Sequence, residues 1–182
     1  MVKHLSRISQ GGTVFLDTNI LHFYLRGPED LRKDCTLFLE RIDEKGITGF
    51  TSSLVLDELM YKILLKKIEE KYRRNPLDVI QKSFEEIGVQ SIEVRKALNI
   101  ILGIEGLNIL SVTRAHIEES VDFMQKYSVL PRDAIHLSVM KSIECTDLAS
   151  ADSDFDRVLT INRWTPLRQG ELERIQGINR CA

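Results

Sequence analysis

The residues of this chain best suited to chemistry are carboxylates. Asp17 closes a short apolar run, Thr13 to Leu16, and opens the segment Asp17-Thr18-Asn19. Glu58 falls in the second turn of a helical stretch that Ser52 or Ser53 caps. Asp133 stands two residues after Pro131, in the first turn of another helix, and Asp152 lies just past the run Leu148 to Ser150. Acids brought together repel one another, and a hard cation with oxygen ligands relieves that repulsion. Mg²⁺ or Mn²⁺ held this way lowers the pKa of a bound water and braces the charge that develops when a phosphodiester is cleaved. No histidine or cysteine cluster competes as a soft-metal site.

Four acids so far apart in sequence meet only if the elements before them converge. Thr13–Leu16, Ile47–Thr51, Leu107–Ser111 and Leu148–Ser150 read as short buried strands, with Trp164–Leu167 as a fifth. Helices lie between them: an apolar segment to Leu25, a run from Leu31 to Gly46, and a long helix with Leu56, Leu59, Met60, Ile63 and Leu64 inward. Asn75-Pro76 breaks the pattern, and two helical stretches, Leu77–Ile87 and Ile92–Leu102, flank Gly88. Thr113 caps a further helix and Pro131 opens the last. Strands alternating with helices predict an α/β fold, a three-layer α/β/α sandwich around a mainly parallel sheet of about five strands. In such sheets ligands bind beyond the carboxyl ends of the strands, which is where Asp17 and Asp152 fall. The expected organisation is a polar leader over 1–12, one domain over 13–168 with a helical elaboration over about 66–103, and a tail over 169–182.

Taken singly, each acid has a plainer role. Asp17 reads equally well as a helix N-cap, and Asp133 as an acid favoured by the helix dipole. Helix phase leaves Asp57 and Glu58 both open as the second acid. Asp152, Asp154 and Asp156 form D-x-D-x-D, but a calcium loop needs Gly sixth and Glu twelfth, where Arg157 and Arg163 stand. His136, three residues after Asp133, reads first as a polar packing residue, as do His22 and His116. Lys62, Lys66, Lys67, Lys71, Arg73 and Arg74 read first as a solvated helix face; Lys62, Lys66 and Arg132 are the candidates for contact with a phosphate backbone.

The balance of 25 basic against 27 acidic residues excludes a global positive field, so any nucleic-acid contact must be local. Cys35, Cys145 and Cys181 are odd in number and widely spaced, as befits a reducing cytoplasm. No apolar run approaches the ~20 residues that span a bilayer. A P-loop is missing, and Asn19 stands where an aspartyl-phosphate enzyme of the haloacid-dehalogenase type would place its second Asp.

Four segments together resemble the PIN-domain family, and within it the VapC-type toxin nucleases: VFLDTNILHFYL (14–25), TSSLVLDELMYKIL (51–64), LPRDAIHLSVM (130–140) and LASADSDFDRV (148–158). The resemblance covers most of the chain in the family's order. It implies a metal-dependent endoribonuclease whose acids are Asp17, Glu58, Asp133 and Asp152, with Asp154 a further, less constant acid. Asn19 stands where the family often has a polar residue supporting the first acid, and Ser150, a further supporting residue, where it often has a Thr. Mg²⁺ or Mn²⁺ is the implied cofactor and RNA the substrate. An antitoxin protein and a second copy of the chain are implied partners, with Trp164 and the apolar faces near the insertion as surface for a homodimer. A stand-alone RNA-processing nuclease and a non-catalytic binding module of the same fold are the alternatives.

Overall fold

The computed structural model describes residues 3–167. In chain order the elements are β1 (Lys3–His4), β2 (Thr13–Leu16), α1 (Thr18–Arg26), α2 (Glu29–Asp43), β3 (Thr48–Ser52), α3 (Ser53–Tyr72), α4 (Pro76–Lys82), α5 (Glu85–Leu102), β4 (Leu107–Leu110), α6 (Arg114–Tyr127), α7 (Pro131–Ser142), β5 (Asp147–Ala149) and β6 (Asn162–Thr165). The tail over 169–182, Cys181 included, lies outside the described residues.

Val14, Phe15 and Leu16 are apolar without alternation and fully buried, the pattern of a strand covered on both faces. The sheet runs β1-β6-β5-β2-β3-β4, and every pairing is parallel. From β2 the chain moves outward through β3 to β4. It returns to the other side of β2 to add β5 and then β6, whose outer edge pairs with the N-terminal β1. The order reverses between β2 and β5, so a crevice opens beyond their carboxyl ends. There Leu16 pairs with Ala149, and Asp17 N–H donates to Ala149 O at 3.0 Å. The core joins both helical layers to the sheet through Phe15, Leu21, Phe38, Leu39, Leu59, Leu137 and Phe155, all nearly or fully buried. Each such side chain stabilises the fold by about 1.5–3 kcal/mol relative to exposure. Gly106 is required where β4 begins: a Cβ there would lie 1.8 Å from Ile42 O at the end of α2.

Three expectations change. Six strands form where about five were expected, because part of the stretch read as a polar leader is an edge strand. Lys3 and His4 pair with Trp164 and Thr165, and Leu5 and Ile8 bury beside them. Two residues carry no periodicity that a sequence pattern could register. The helical break expected near Gly88 falls earlier, at Ser83, whose extended backbone (φ −150°, ψ 93°) separates α4 from α5. Gly88 lies inside α5 with open space around it. Trp164, expected to offer interface surface, is buried; its Nε1–H donates to Asp147 Oδ1 at 2.8 Å, and Lys3 Nζ sits 4.8 Å from its ring centre. Among the described residues no helix is long and apolar enough to cross a membrane.

Candidate active site

Asp17 begins where β2 ends. Its extended backbone (φ −81°, ψ 159°) makes it the N-cap of α1, and its Oδ1 accepts the Thr18 N–H at 2.6 Å. The second oxygen does more. Asp17 Oδ2 accepts the Ser150 hydroxyl at 2.7 Å and an Asn19 side-chain N–H. Asn19 also donates to Ser150 Oγ at 3.1 Å, and its Oδ1 accepts the Ala151 N–H at 2.9 Å. Ser150 Oγ in turn accepts the Asp152 N–H at 3.0 Å. One polar mesh therefore ties the end of β2 to the end of β5 and fixes the carboxylate of a nearly buried aspartate.

Thr18 links this mesh to α3 by donating to Glu58 Oε2 at 2.5 Å. Arg132 Nε lies 3.4 Å from Glu58 Oε1, and His136 Nε2 lies 3.8 Å from Oε2, too far for a hydrogen bond. Asp57 is exposed, so Glu58 is the acid that faces Asp17. One ligand atom each from Asp17, Glu58 and His136 lie within 4.8 Å of one another. Cis ligands of a small divalent cation at ~2.1 Å stand roughly 3 Å apart and trans ligands roughly 4 Å apart. A slight contraction would thus enclose an ion, and two of the three donors are the oxygens a hard cation prefers.

The electrostatics fit a site short of positive charge. Burial pushes the Asp17 carboxyl above its ordinary value, although His136, the Ser150 and Thr18 hydrogen bonds and Lys62 oppose it. Asp133 is pushed up to about 6, first by burial and then by the charge of Asp152, with Asp17 and Asp154 adding and His136 opposing. Burial also raises Glu58, but His136, Thr18 and Arg132 together prevail and hold it below its ordinary value. Two carboxylates that resist ionisation thus stand near a third that accepts it.

The loop that carries Asp152 is pinned from β6. Arg163 is 4% exposed and grips Asp156 at 2.7 and 2.9 Å while donating to Ser150 O at 3.2 Å. Asp156, though exposed, is thereby the anchoring partner of Arg163. Asp154 pairs with Arg157 at 3.0 Å. Asp152 caps the short 3₁₀ turn by accepting the Asp154 N–H at 2.8 Å and remains exposed.

Of the sequence candidates, Asp17, Asn19 and Ser150 share one hydrogen-bond mesh, Glu58 and Arg132 adjoin it, and the charges of Asp152 and Asp154 bear on Asp133. Lys62 is near enough for its charge to act on Asp17, whereas Lys66 pairs with Glu69 at 2.8 Å. Sequence reading underrated His136 and missed Thr18 and Arg163. The i+3 spacing from Asp133 was the only signal for His136. The contact of Arg163 with Ser150 spans two strands and had none.

The PIN domain model matches residues 14–159. Ribonuclease VapC2 of Methanocaldococcus jannaschii is 24% identical over 151 residues, which cover 80% of this chain and 88% of that protein. A toxin-antitoxin complex from Klebsiella pneumoniae contains a similarly folded chain (TM-score 0.53, 17% identity, covering 85% of this chain and 98% of that one). VapC20 of Mycobacterium tuberculosis, a sarcin-ricin loop cleaving toxin, is alike to the same degree (TM-score 0.53, 15% identity, 85% and 98% covered). At these identities the solved structures establish a common fold. The match to the family model takes in most of the chain and all four carboxylates, and on it we conclude that this chain belongs to the PIN domain family.

Proposed function

We propose that this PIN domain is a Mg²⁺- or Mn²⁺-dependent endoribonuclease and the toxin of a toxin–antitoxin pair. The observation that carries the reading is the approach of Asp17, Glu58 and His136 to within 4.8 Å, in a pocket where Asp133 is pushed up to about 6. Asp17, Glu58, Asp133 and Asp152 would hold the cation, with Asp154 at the margin. When bound, Mg²⁺ or Mn²⁺ supplies an activated water and positive charge opposite the phosphate.

The protein's own groups do the rest. Asn19 and Ser150 orient the Asp17 carboxylate, and Thr18 orients Glu58. The carboxylates that would hold the cation also stand where the attacking water gives up a proton and the leaving oxygen gains one. Hydrolysis adds water across one P–O bond, so a single proton must move between these oxygens. Arg132 and Lys62 bring positive charge to the rim where a phosphate would enter. RNA is the substrate on the strength of the similar ribonucleases, and an antitoxin the partner on that of the similar complex. Homodimer formation belongs to the same reading: Phe84, Val89 and Ile92 are 71, 52 and 60% exposed around α5 and offer apolar surface to a second copy.

The purified protein should cleave single-stranded RNA with Mg²⁺ or Mn²⁺ and stop when EDTA is added. Asp17→Asn and Asp133→Asn should each lose more than the ~10–100-fold typical of outer hydrogen-bond partners of a metal site, with circular dichroism unchanged. A folded variant that cleaves at the wild-type rate would refute the carboxylate mechanism.

A further inference from the structure

The basic stretch after Glu58 separates in the fold into two sets. At about 100° per residue, Lys66 and Arg73 lie within roughly 40° of Lys62 around α3, whereas Lys67 and Lys71 lie roughly 140° and 180° away. The second set is engaged in packing. Lys67 Nζ lies 3.3 Å from Glu70 and 3.7 Å from Glu93, and Lys71 Nζ lies 2.9 Å from Glu86. Glu86 and Glu93 belong to α5, so these lysines seat α5 on α3.

The first set faces open space. A cavity of about 390 Å³ between α1 and α3 is lined by Asn19, His22, Lys62 and Lys66, among others. A second, of about 570 Å³, continues past Lys66 and Glu69 to Arg73 and Arg74. All four cations are exposed. Only Lys66 among them has an acidic partner within the described residues, Glu69 at 2.8 Å. The near end of the groove meets the carboxylates, since Asn19 donates to Asp17. His22 in the groove wall is held below its ordinary pKa by burial and then by Lys62, Arg26 and Lys66, so the positive potential there acts on a neighbouring group. Lys62 to Arg73 spans roughly 16 Å of helix at ~1.5 Å per residue. With a rise of ~3.4 Å per nucleotide along a stacked strand and more along an extended one, that length matches about three to five nucleotides.

We propose that the groove from Asn19 through Lys62 and Lys66 to Arg73 and Arg74 is the track on which the backbone of a single-stranded RNA runs away from the carboxylate centre. That the strand is a substrate rests on the ribonuclease reading; the track itself rests on the groove and its charges. Glu69 sits on the same line, and a phosphate reaching Lys66 must displace it.

The test is fluorescence anisotropy of a labelled 12-nucleotide single-stranded RNA with the full chain in EDTA, over a range of salt. Arg73→Gln/Arg74→Gln should lower the slope of log affinity against log salt by about 1.4, at ~0.7 per lost phosphate contact. Glu69→Gln should tighten binding, a gain that damage to the fold would not produce. Lys45→Gln/Lys126→Gln removes equal charge elsewhere and should leave the slope unchanged. The track is refuted if wild-type protein does not bind at 50 mM salt, if the arginine pair keeps the wild-type slope, or if the control pair lowers it equally. Tighter binding of a poly-glutamate peptide, lost in the same arginine pair, would refute it too and assign the groove to an acidic protein segment. Metal-loaded wild type that cleaves RNA while the arginine pair binds normally would sink the track and spare the nuclease reading. The expected slopes without any cleavage would do the reverse.

Discussion

Replacing Asp133 with asparagine should stabilise the metal-free protein, and by an amount that depends on pH. The folded carboxyl is pushed from 3.8 to about 6. A raised folded pKa means that the fold favours the protonated acid. Its contribution is fully present below pH ~4, is lost as the pH rises towards 6, and leaves the fold strained above that. About two units at ~1.36 kcal/mol each sets an upper bound near 3 kcal/mol. Asp133 is only partly buried, so solvent screening brings this to about 1–2 kcal/mol. The amide keeps the side-chain volume and removes the charge. In EDTA at pH 7.5 the variant should melt roughly 2–8 °C above wild type, at ~2–4 °C per kcal/mol for a chain of this size. At pH 4.5 the gain should fall to about a third, because the folded acid is then already protonated. Scanning calorimetry at the two pH values decides the matter. A variant less stable than wild type at pH 7.5, or one that gains equally at both, would show that Asp133 does not carry the repulsion described.

Cation binding should be linked to stability through the same pocket. At a hundredfold excess over Kd, Mg²⁺ or Mn²⁺ should add about 2.7 kcal/mol, and the rise in Tm should shrink in Asp17→Asn; an equal rise would place the ion elsewhere. Arg163→Met strips three hydrogen bonds from Asp156 and Ser150, and urea unfolding should register a loss of about 2–4 kcal/mol. Two glycine substitutions should move in opposite directions: Gly88→Ala, in open space inside α5, should gain about 0.5–1 kcal/mol, and Gly106→Ala, against Ile42 O, should lose about 1–3 kcal/mol.

Much of the architecture was legible because it is written in local patterns. Uninterrupted apolar runs such as Val14-Phe15-Leu16 announce buried parallel strands, and Asp17, Asn75, Thr113 and Pro131 mark helix starts within a residue or two of where they fall. Features that depend on distant partners were not legible. Nothing in Lys3-His4 suggests a strand until Trp164 and Thr165 lie beside it. The ambiguity between Asp57 and Glu58 persisted because α3 buries residues on more than one side, with Val55, Leu59 and Ile63 facing the core and the side bearing Lys67 and Lys71 facing α5. The hydroxyl of Thr18, brought over from α1, and the side chains of Arg132 and His136 from α7 distinguish Glu58 as the inward acid. His136 looked like packing because its ring is indeed buried among apolar groups; that one nitrogen faces Glu58 follows from how α7 meets α3, which no spacing along one helix reports.

The polar mesh around Asp17 also has a direction in time. Asp17 leaves the ribosome 133 residues ahead of Ser150, which fixes its carboxylate. Lys3 likewise waits 159 residues for Asn162 beside its strand partner. At translation rates of roughly 5–20 residues per second, the first of these intervals lasts roughly 7–27 s. Through that interval β2 has no β5 to pair with, and the four acids cannot converge. The growing chain, held against a machine built largely of RNA, therefore carries dispersed carboxylates and no centre, and the order of synthesis postpones assembly of the pocket until β5 has been made.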